Sequence, residues 1–247
     1  VQKLHQQSHF CDWAEVKENH DIIPHLGIVS QPVSPFFLIT LEDAPKNHRL
    51  RSELWARKKF KQKSLSVVPP PPRKPKRLRI GYFSADFKKH PVAYLMAKVF
   101  EMHDRGSFEI YGYSIGPVTD DEMRKRLIKA FDVFQDIKDK TDQEAALLAR
   151  QNKIDIAVDL NGYTLHSRAG IFAYRPAPIQ INYLGFAGTL GTNCIDYIIA
   201  DQNLIPNKAQ KFYSEKPIYM PNSYMATDNS RRISPRAANR AEVGLPK

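Results

Sequence analysis

The chain of 247 residues is 42% hydrophobic and 26% charged, enough apolar content to bury a sizeable core and to exclude a disordered chain. No basic-then-apolar leader opens it and no run approaches the ~20 apolar residues of a membrane helix, which excludes a membrane role. The formal charge of +11 is concentrated between Lys46 and Arg77, where twelve Lys or Arg meet one acid, Glu53, while the remainder carries 25 residues of each sign; with no nucleic-acid motif beside it, this reads as a solvated or docking segment and excludes nucleic acid as a partner.

In chain order, residues 1–68 mix short helical patterns, Leu4 to Val16 and Leu50 to Phe60, with the apolar run Pro32 to Leu38. That run needs a surface, so these residues are expected to form a mostly helical and extended arm packed on the domain C-terminal to it. The cysteines, Cys11 and Cys194, lack metal or redox spacing, which implies neither a disulfide nor a metal site and points to a reducing, cytoplasmic compartment. Pro69 to Pro72, followed by Arg73, Lys74, Pro75, Lys76 and Arg77, favours an extended connection, so residues 69–77 are read as a linker.

From residue 78 to 247, apolar runs of strand length alternate with stretches of helical period, the pattern of an α/β Rossmann-like unit with a covered parallel sheet. The expected strands are Leu78–Ser84, Phe108–Ser114, Val133–Ile137, Ile154–Leu160, Ile179–Leu184 and Tyr197–Ala200. Helices are expected at 91–103, 120–130 and 141–152, with a shorter one near 168–174. Runs such as Ile154 to Val158 suit strands buried on both faces, with Asp155 as an interruption.

Ligands of open parallel sheets bind beyond the carboxyl ends of the strands, so the residues after each strand carry the chemistry. Three loops stand out: Ser84 to Pro91, Asp159 to Thr164, and Leu184 to Gly191. In the first, Asp86 and His90 precede a helix starting at Pro91; either they cap it, or they present an acid and a neutral imidazole, since the helix dipole disfavours an imidazolium there. Asn161-Gly162 is a turn dipeptide or part of the same site. The third loop is glycine-rich without dinucleotide or phosphate-loop spacing, which argues against an NAD or ATP site.

Several of these residues form a recognisable set. Leu78 to Phe87, His90-Pro91, Leu95-Met96, Asn161 to Thr164, Arg175 to Gln180, Leu184-Gly185, Asp196 to Ile198 and Tyr213 to Lys216, with Cys11 to Trp13 in the arm, resemble the catalytic region of protein O-GlcNAc transferases in order and spacing. The resemblance implies a GT-B fold, of which this chain is the N-terminal Rossmann-like lobe, with the C-terminal nucleotide-binding lobe and the tetratricopeptide repeats lying outside it. It implies metal-independent transfer of GlcNAc from UDP-GlcNAc, a nucleotide-sugar substrate and not a cofactor, to Ser or Thr hydroxyls of acceptor proteins, with inversion. The lobe alone is expected to be inactive.

Carried over by position, the resemblance puts His90 and Asp86 at the reacting centre. Around the transferred sugar it puts Pro91, Asn161, Gly162, Tyr163, Thr164, Leu184, Gly185, Ala187, Gly188 and Thr189. Three proton acceptors stay open: His90, Asp86, or a donor phosphate oxygen. Departures cluster nearby: Val92 replaces a Thr, Ala187 a Pro, Leu165 a Lys, and Phe36-Phe37 a histidine pair. They leave a GDP-fucose-dependent O-fucosyltransferase of the plant SPINDLY type as an alternative, and the expected absence of the second lobe from this chain raises another, a non-catalytic acceptor-binding or scaffold module.

Overall fold

In a computed structural model, residues 1–60, 65, 76–231, 235–236 and 239–246 are described. Of the expected linker, residues 69–75 lie outside the described residues. The arm contains α1 (Gln2–His9), α2 (Trp13–Glu18), two short 3-10 turns (Ile23–His25 and Pro35–Phe37) and α3 (Pro45–Lys59). Then come β1 (Leu78–Ser84), α4 (Pro91–Glu101), β2 (Phe108–Ser114), α5 (Glu122–Ala130), β3 (Val133–Asp136) and α6 (Asp142–Gln151). The remaining elements are β4 (Ile156–Asp159), α7 (Gly170–Ala173), β5 (Ile179–Asn182), β6 (Tyr197–Ala200), a 3-10 turn (Asn207–Phe212) and β7 (Lys216–Tyr219). Among the described residues no helix is long and apolar enough to cross a membrane.

The seven strands form one parallel sheet in the order β3-β2-β1-β4-β5-β6-β7. This is the doubly wound order with one strand added, and its direction of winding reverses between β1 and β4. Alternation along the strands sends Ile80, Tyr82, Ile110, Val158 and Ile181 to one face, where α4 and α5 bring Val92, Met96, Phe100 and Leu127. Phe83, Tyr113 and Ala157 point the other way, under Ala145, Ala146 and Ala149 of α6 and Ile171 and Phe172 of α7. Local signals fix the helix starts: Thr141 and Glu144 close a capping box on α6, and Asp121 caps α5 by accepting from the Arg124 N–H.

The arm lies on the second face, where Phe36, Trp55 and Phe60 pack against the buried cluster. Its own anchor is Arg51, fully buried. Arg51 Nε donates to the Leu26 carbonyl (2.8 Å), Nη2 to Ile23 (2.9 Å) and Pro24 (3.2 Å), and Nη1 pairs with Glu42.

Three expectations need correction. The fourth strand begins at Ile156, not Ile154: Asp155 precedes it and accepts the Arg79 N–H at 2.8 Å, so it tethers β1 instead of interrupting a strand. The helix near 168–174 is a single turn, Gly170–Ala173. An unforeseen strand, β7, extends the sheet; four residues that include Lys216 and Pro217 carry little strand signal.

Candidate active site

The reversal between β1 and β4 opens a crevice at the carboxyl ends of these strands, and Asn161 sits in it. Its Oδ1 accepts the Ala85 N–H at 2.7 Å, and its Nδ2 donates to Asp86 Oδ2 at 2.7 Å and to Thr164 Oγ1 at 3.2 Å. The backbone N–H can only donate and the carboxylate can only accept, so the amide has one permitted orientation. Asp86, Asn161 and Ala85 are all buried. Two loops of the sheet edge are thereby joined through one side chain.

His90 is the N-cap of α4, and its Nδ1 accepts the Val92 N–H at 3.3 Å. That bond leaves the proton on Nε2, so in this conformation the half-buried ring carries a free-facing N–H donor there and an occupied acceptor at Nδ1. Its Nδ1 lies 3.7 Å from Asp86 Oδ2, too long for a hydrogen bond. The helix is therefore capped by His90, while Asp86 is held by Asn161. Pro91, exposed, occupies the first helical position. Val92 is buried in the α4 face of the core.

Gly162 comes next with φ +58°, and a Cβ there would lie 2.5 Å from Phe186 Cβ. Tyr163 is buried, donates its hydroxyl to the Leu190 carbonyl (2.5 Å) and stacks on Phe60 of the arm. Its hydroxyl is thus spent inside the fold. Leu184 has φ +68°, a left-handed conformation that costs a branched residue about 1–2 kcal/mol. The Gly185 N–H closes a tight turn onto the Tyr183 carbonyl at 2.9 Å. A Cβ on Gly185 would lie 2.0 Å from the Leu160 carbonyl oxygen, so the third loop touches the second through a position open only to glycine.

The rest of that loop is fastened away from the crevice. The Ala187 carbonyl accepts the Tyr213 hydroxyl (3.0 Å), and the Gly188 carbonyl accepts the Asn182 amide (3.4 Å). Thr189 is buried and donates to Glu215 Oε2 at 2.6 Å, while Glu215 Oε1 accepts the Leu190 N–H at 2.6 Å. Burial pushes the Glu215 carboxyl up.

Sequence reasoning assigned no role to three groups. Glu215 holds the third loop from 25 residues away, a partnership no local pattern signals. Arg124 of α5 is buried over the ends of β2 and β3, donating to Ser114 Oγ (3.2 Å), Asp136 Oδ1 (2.6 Å) and the Phe87 carbonyl (3.4 Å). Its spacing with Met123 and Leu127, both buried, was the available signal. The third is Asp159, at the end of β4. Its Oδ1 accepts the N–H groups of Asn161 (2.9 Å) and Gly162 (3.1 Å), and burial pushes its carboxyl up to about 6.

A cleft of about 510 Å³ runs beside this edge, with Thr164 and Leu165 on one wall and Phe36, Phe37, Trp55 and Phe60 of the arm on the other. Phe36 and Phe37, which stand where the resemblance has a histidine pair, give that wall an aromatic character, with the His5 ring 5.1 Å from Phe37.

The glycosyl transferase family 41 model matches residues 59–243, three quarters of the chain. The chain belongs to glycosyl transferase family 41. The matched span includes every candidate residue at the crevice, from Asp86 to Thr189, and leaves most of the arm outside it. Within the family, a probable UDP-N-acetylglucosamine–peptide N-acetylglucosaminyltransferase of Arabidopsis thaliana, SEC, is 38% identical over 177 residues, covering 70% of this chain and 18% of that protein. A UDP-N-acetylglucosamine–peptide N-acetylglucosaminyltransferase of Caenorhabditis elegans is 37% identical over 158 residues, covering 64% and 14%. The solved structure of a mutant Thermobaculum terrenum O-GlcNAc transferase superimposes with a TM-score of 0.73 at 30% identity, over 85% of this chain and 42% of that one. The α/β, Rossmann-like fold is therefore that of a family 41 member. The chain spans less than a fifth of the length of these two curated relatives.

Proposed function

We propose that this chain is the N-terminal Rossmann-like lobe of a protein O-GlcNAc transferase, in which the sheet edge handles the sugar and the acceptor hydroxyl while a second lobe holds UDP. The observation that carries the reading is the Asn161 amide at the β1/β4 crevice, which fixes Asp86 beside the His90 ring. In the reaction, the Ser or Thr oxygen attacks the anomeric carbon and its bond to the diphosphate breaks. The diphosphate leaves with the electron pair, and the hydroxyl proton goes to a base. The hydrogen-bond pattern favours Asp86 as that base: Asn161 orients its carboxylate, whereas Nδ1 of His90 is occupied and Nε2 carries a proton. His90 then donates to an oxygen in the cleft. The scheme uses no metal. Tetratricopeptide repeats beyond residues 1–247 select acceptors, and the setting is cytoplasmic.

The test uses the polypeptide encoded by the complete reading frame that carries these residues, incubated with labelled UDP-GlcNAc or GDP-fucose and a proteome extract. Label is expected on Ser and Thr from UDP-GlcNAc. Label from GDP-fucose alone would reassign the donor, and none from either would contradict the reading.

A further inference from the structure

The reaction scheme leaves Asp159 without a task. It ends β4, in register with Phe83 of β1 and Asn182 of β5, and is buried. One oxygen does all of its bonding: Oδ1 accepts from the backbone N–H groups of Asn161 and Gly162, at 2.9 and 3.1 Å. Oδ2, also buried, has no hydrogen-bond partner among the described residues. The line continues from the Asn161 backbone into its side chain, which holds the Ala85 N–H and the Asp86 carboxylate at 2.7 Å each. Each link is short and inside the protein, where hydrogen bonds are strong and an unmade one is costly.

We propose that Asp159 is the positioning residue of this edge, setting the Asn161 amide and through it the Asp86 carboxylate while touching no substrate itself. A carboxyl that merely capped the Asn161-Gly162 turn would leave the loop after β1 indifferent to it. Here the turn and that loop share the Asn161 side chain, so an error in the turn passes straight to Asp86. The surroundings are otherwise quiet: Phe83 and Asn182 flank Asp159 without charge, and Tyr163, the titratable neighbour that feels Asp159, is held neutral by burial. Asp86 is the remaining ionisable group on the line, one side chain away. The catalytic relevance rests on Asp86 being the reacting carboxylate; the positional claim rests on the hydrogen bonds alone.

The test is made on isotope-labelled 1–247 by NMR, following the Ala85 backbone N–H and the Asn161 side-chain amide. D159N keeps an acceptor oxygen for both N–H groups and is expected to leave both signals at wild-type positions and their exchange protection at or above wild-type values. D159A is expected to lower protection of the Ala85 N–H about tenfold or more and to shift the Asn161 amide toward its free position, while Ile110 and Leu127 in the core keep their protection. If D159A fails to fold, D159S, with a shorter acceptor, takes its place with the same expectation. Unchanged Ala85 and Asn161 signals in a folded D159A or D159S would overturn the proposal, as would equal disturbance by D159N. A complete polypeptide that transfers no sugar, while these signals in 1–247 behave as stated, would remove the transferase reading and leave this one standing.

Discussion

Arg51→Ala is expected to destabilise the protein by about 3–5 kcal/mol, because it deletes one partner of a buried ion pair and strands the other. Arg51 is fully buried, and its guanidinium serves the carbonyls of Ile23, Pro24 and Leu26 as well as Glu42. Removing it leaves these acceptors without their donor inside the arm. The effect reaches the site, because the arm supplies Phe36, Trp55 and Phe60 to the cleft wall facing Thr164. Urea unfolding at constant slope measures the loss. The pair Arg51→Met with Glu42→Leu is expected to recover the share due to the stranded Glu42 charge, and not the share due to the carbonyls of Ile23, Pro24 and Leu26. A loss below about 1 kcal/mol for Arg51→Ala would show that the arm is anchored elsewhere.

The second large effect has the opposite sign. Asp159→Asn is expected to stabilise the protein above pH 6, by about 1–3 kcal/mol. Burial raises the folded Asp159 carboxyl from its ordinary 3.8 to about 6. A carboxyl raised on folding binds its proton more tightly in the folded state. Its contribution is most favourable below pH 3.8, declines as pH rises from there to 6, and is then constant. Asparagine has no such decline. It keeps the acceptor that Asn161 and Gly162 need, and it adds a donor on β4 beside Asn182, whose buried Oδ1 lacks a partner among the described residues. Thermal unfolding at pH 7.5 is expected to show a higher Tm for the variant, and the two proteins should converge at pH 4. A lower Tm at pH 7.5 would mean that the ionised carboxylate strengthens the turn by more than its burial costs.

Much of the frame is legible in the sequence because parallel strands covered on both faces read as nearly continuous apolar runs. Leu78–Ser84, Phe108–Ser114 and Tyr197–Ala200 match the observed strands residue for residue. The same reasoning fails at β7, an edge strand whose lysine and proline suit partial exposure. At the site, placing the chemistry after the strands brings Asp86, His90 and Asn161 together without any distance in hand. What composition and spacing do not contain is the division of labour. His90 caps α4 while Asp86 is held by Asn161; Tyr163 and Thr189 spend their hydroxyls on Leu190 and Glu215. These pairings join residues up to 75 positions apart, and only the closed sheet edge selects them.

Departures from the resemblance also separate once the side chains are placed. Val92 is buried against the sheet and Ala187 contributes a carbonyl to Tyr213, so neither side chain makes a polar contact at the crevice. Phe36, Phe37 and Leu165 line the cleft that begins at Thr164, so they bear on what passes beside the reacting centre.

In the proposed reaction the Asp86 carboxylate, fixed by Asn161, takes the acceptor proton. The most direct measurement is the rate of sugar transfer by Asp86→Asn in the complete polypeptide, at saturating donor, beside its Tm. Asparagine keeps an oxygen to accept from the Asn161 amide, so the Tm is expected to stay at its wild-type value while the rate falls by about 10²–10⁴-fold. An Asp86→Asn enzyme that folds and transfers sugar at the wild-type rate would contradict the account.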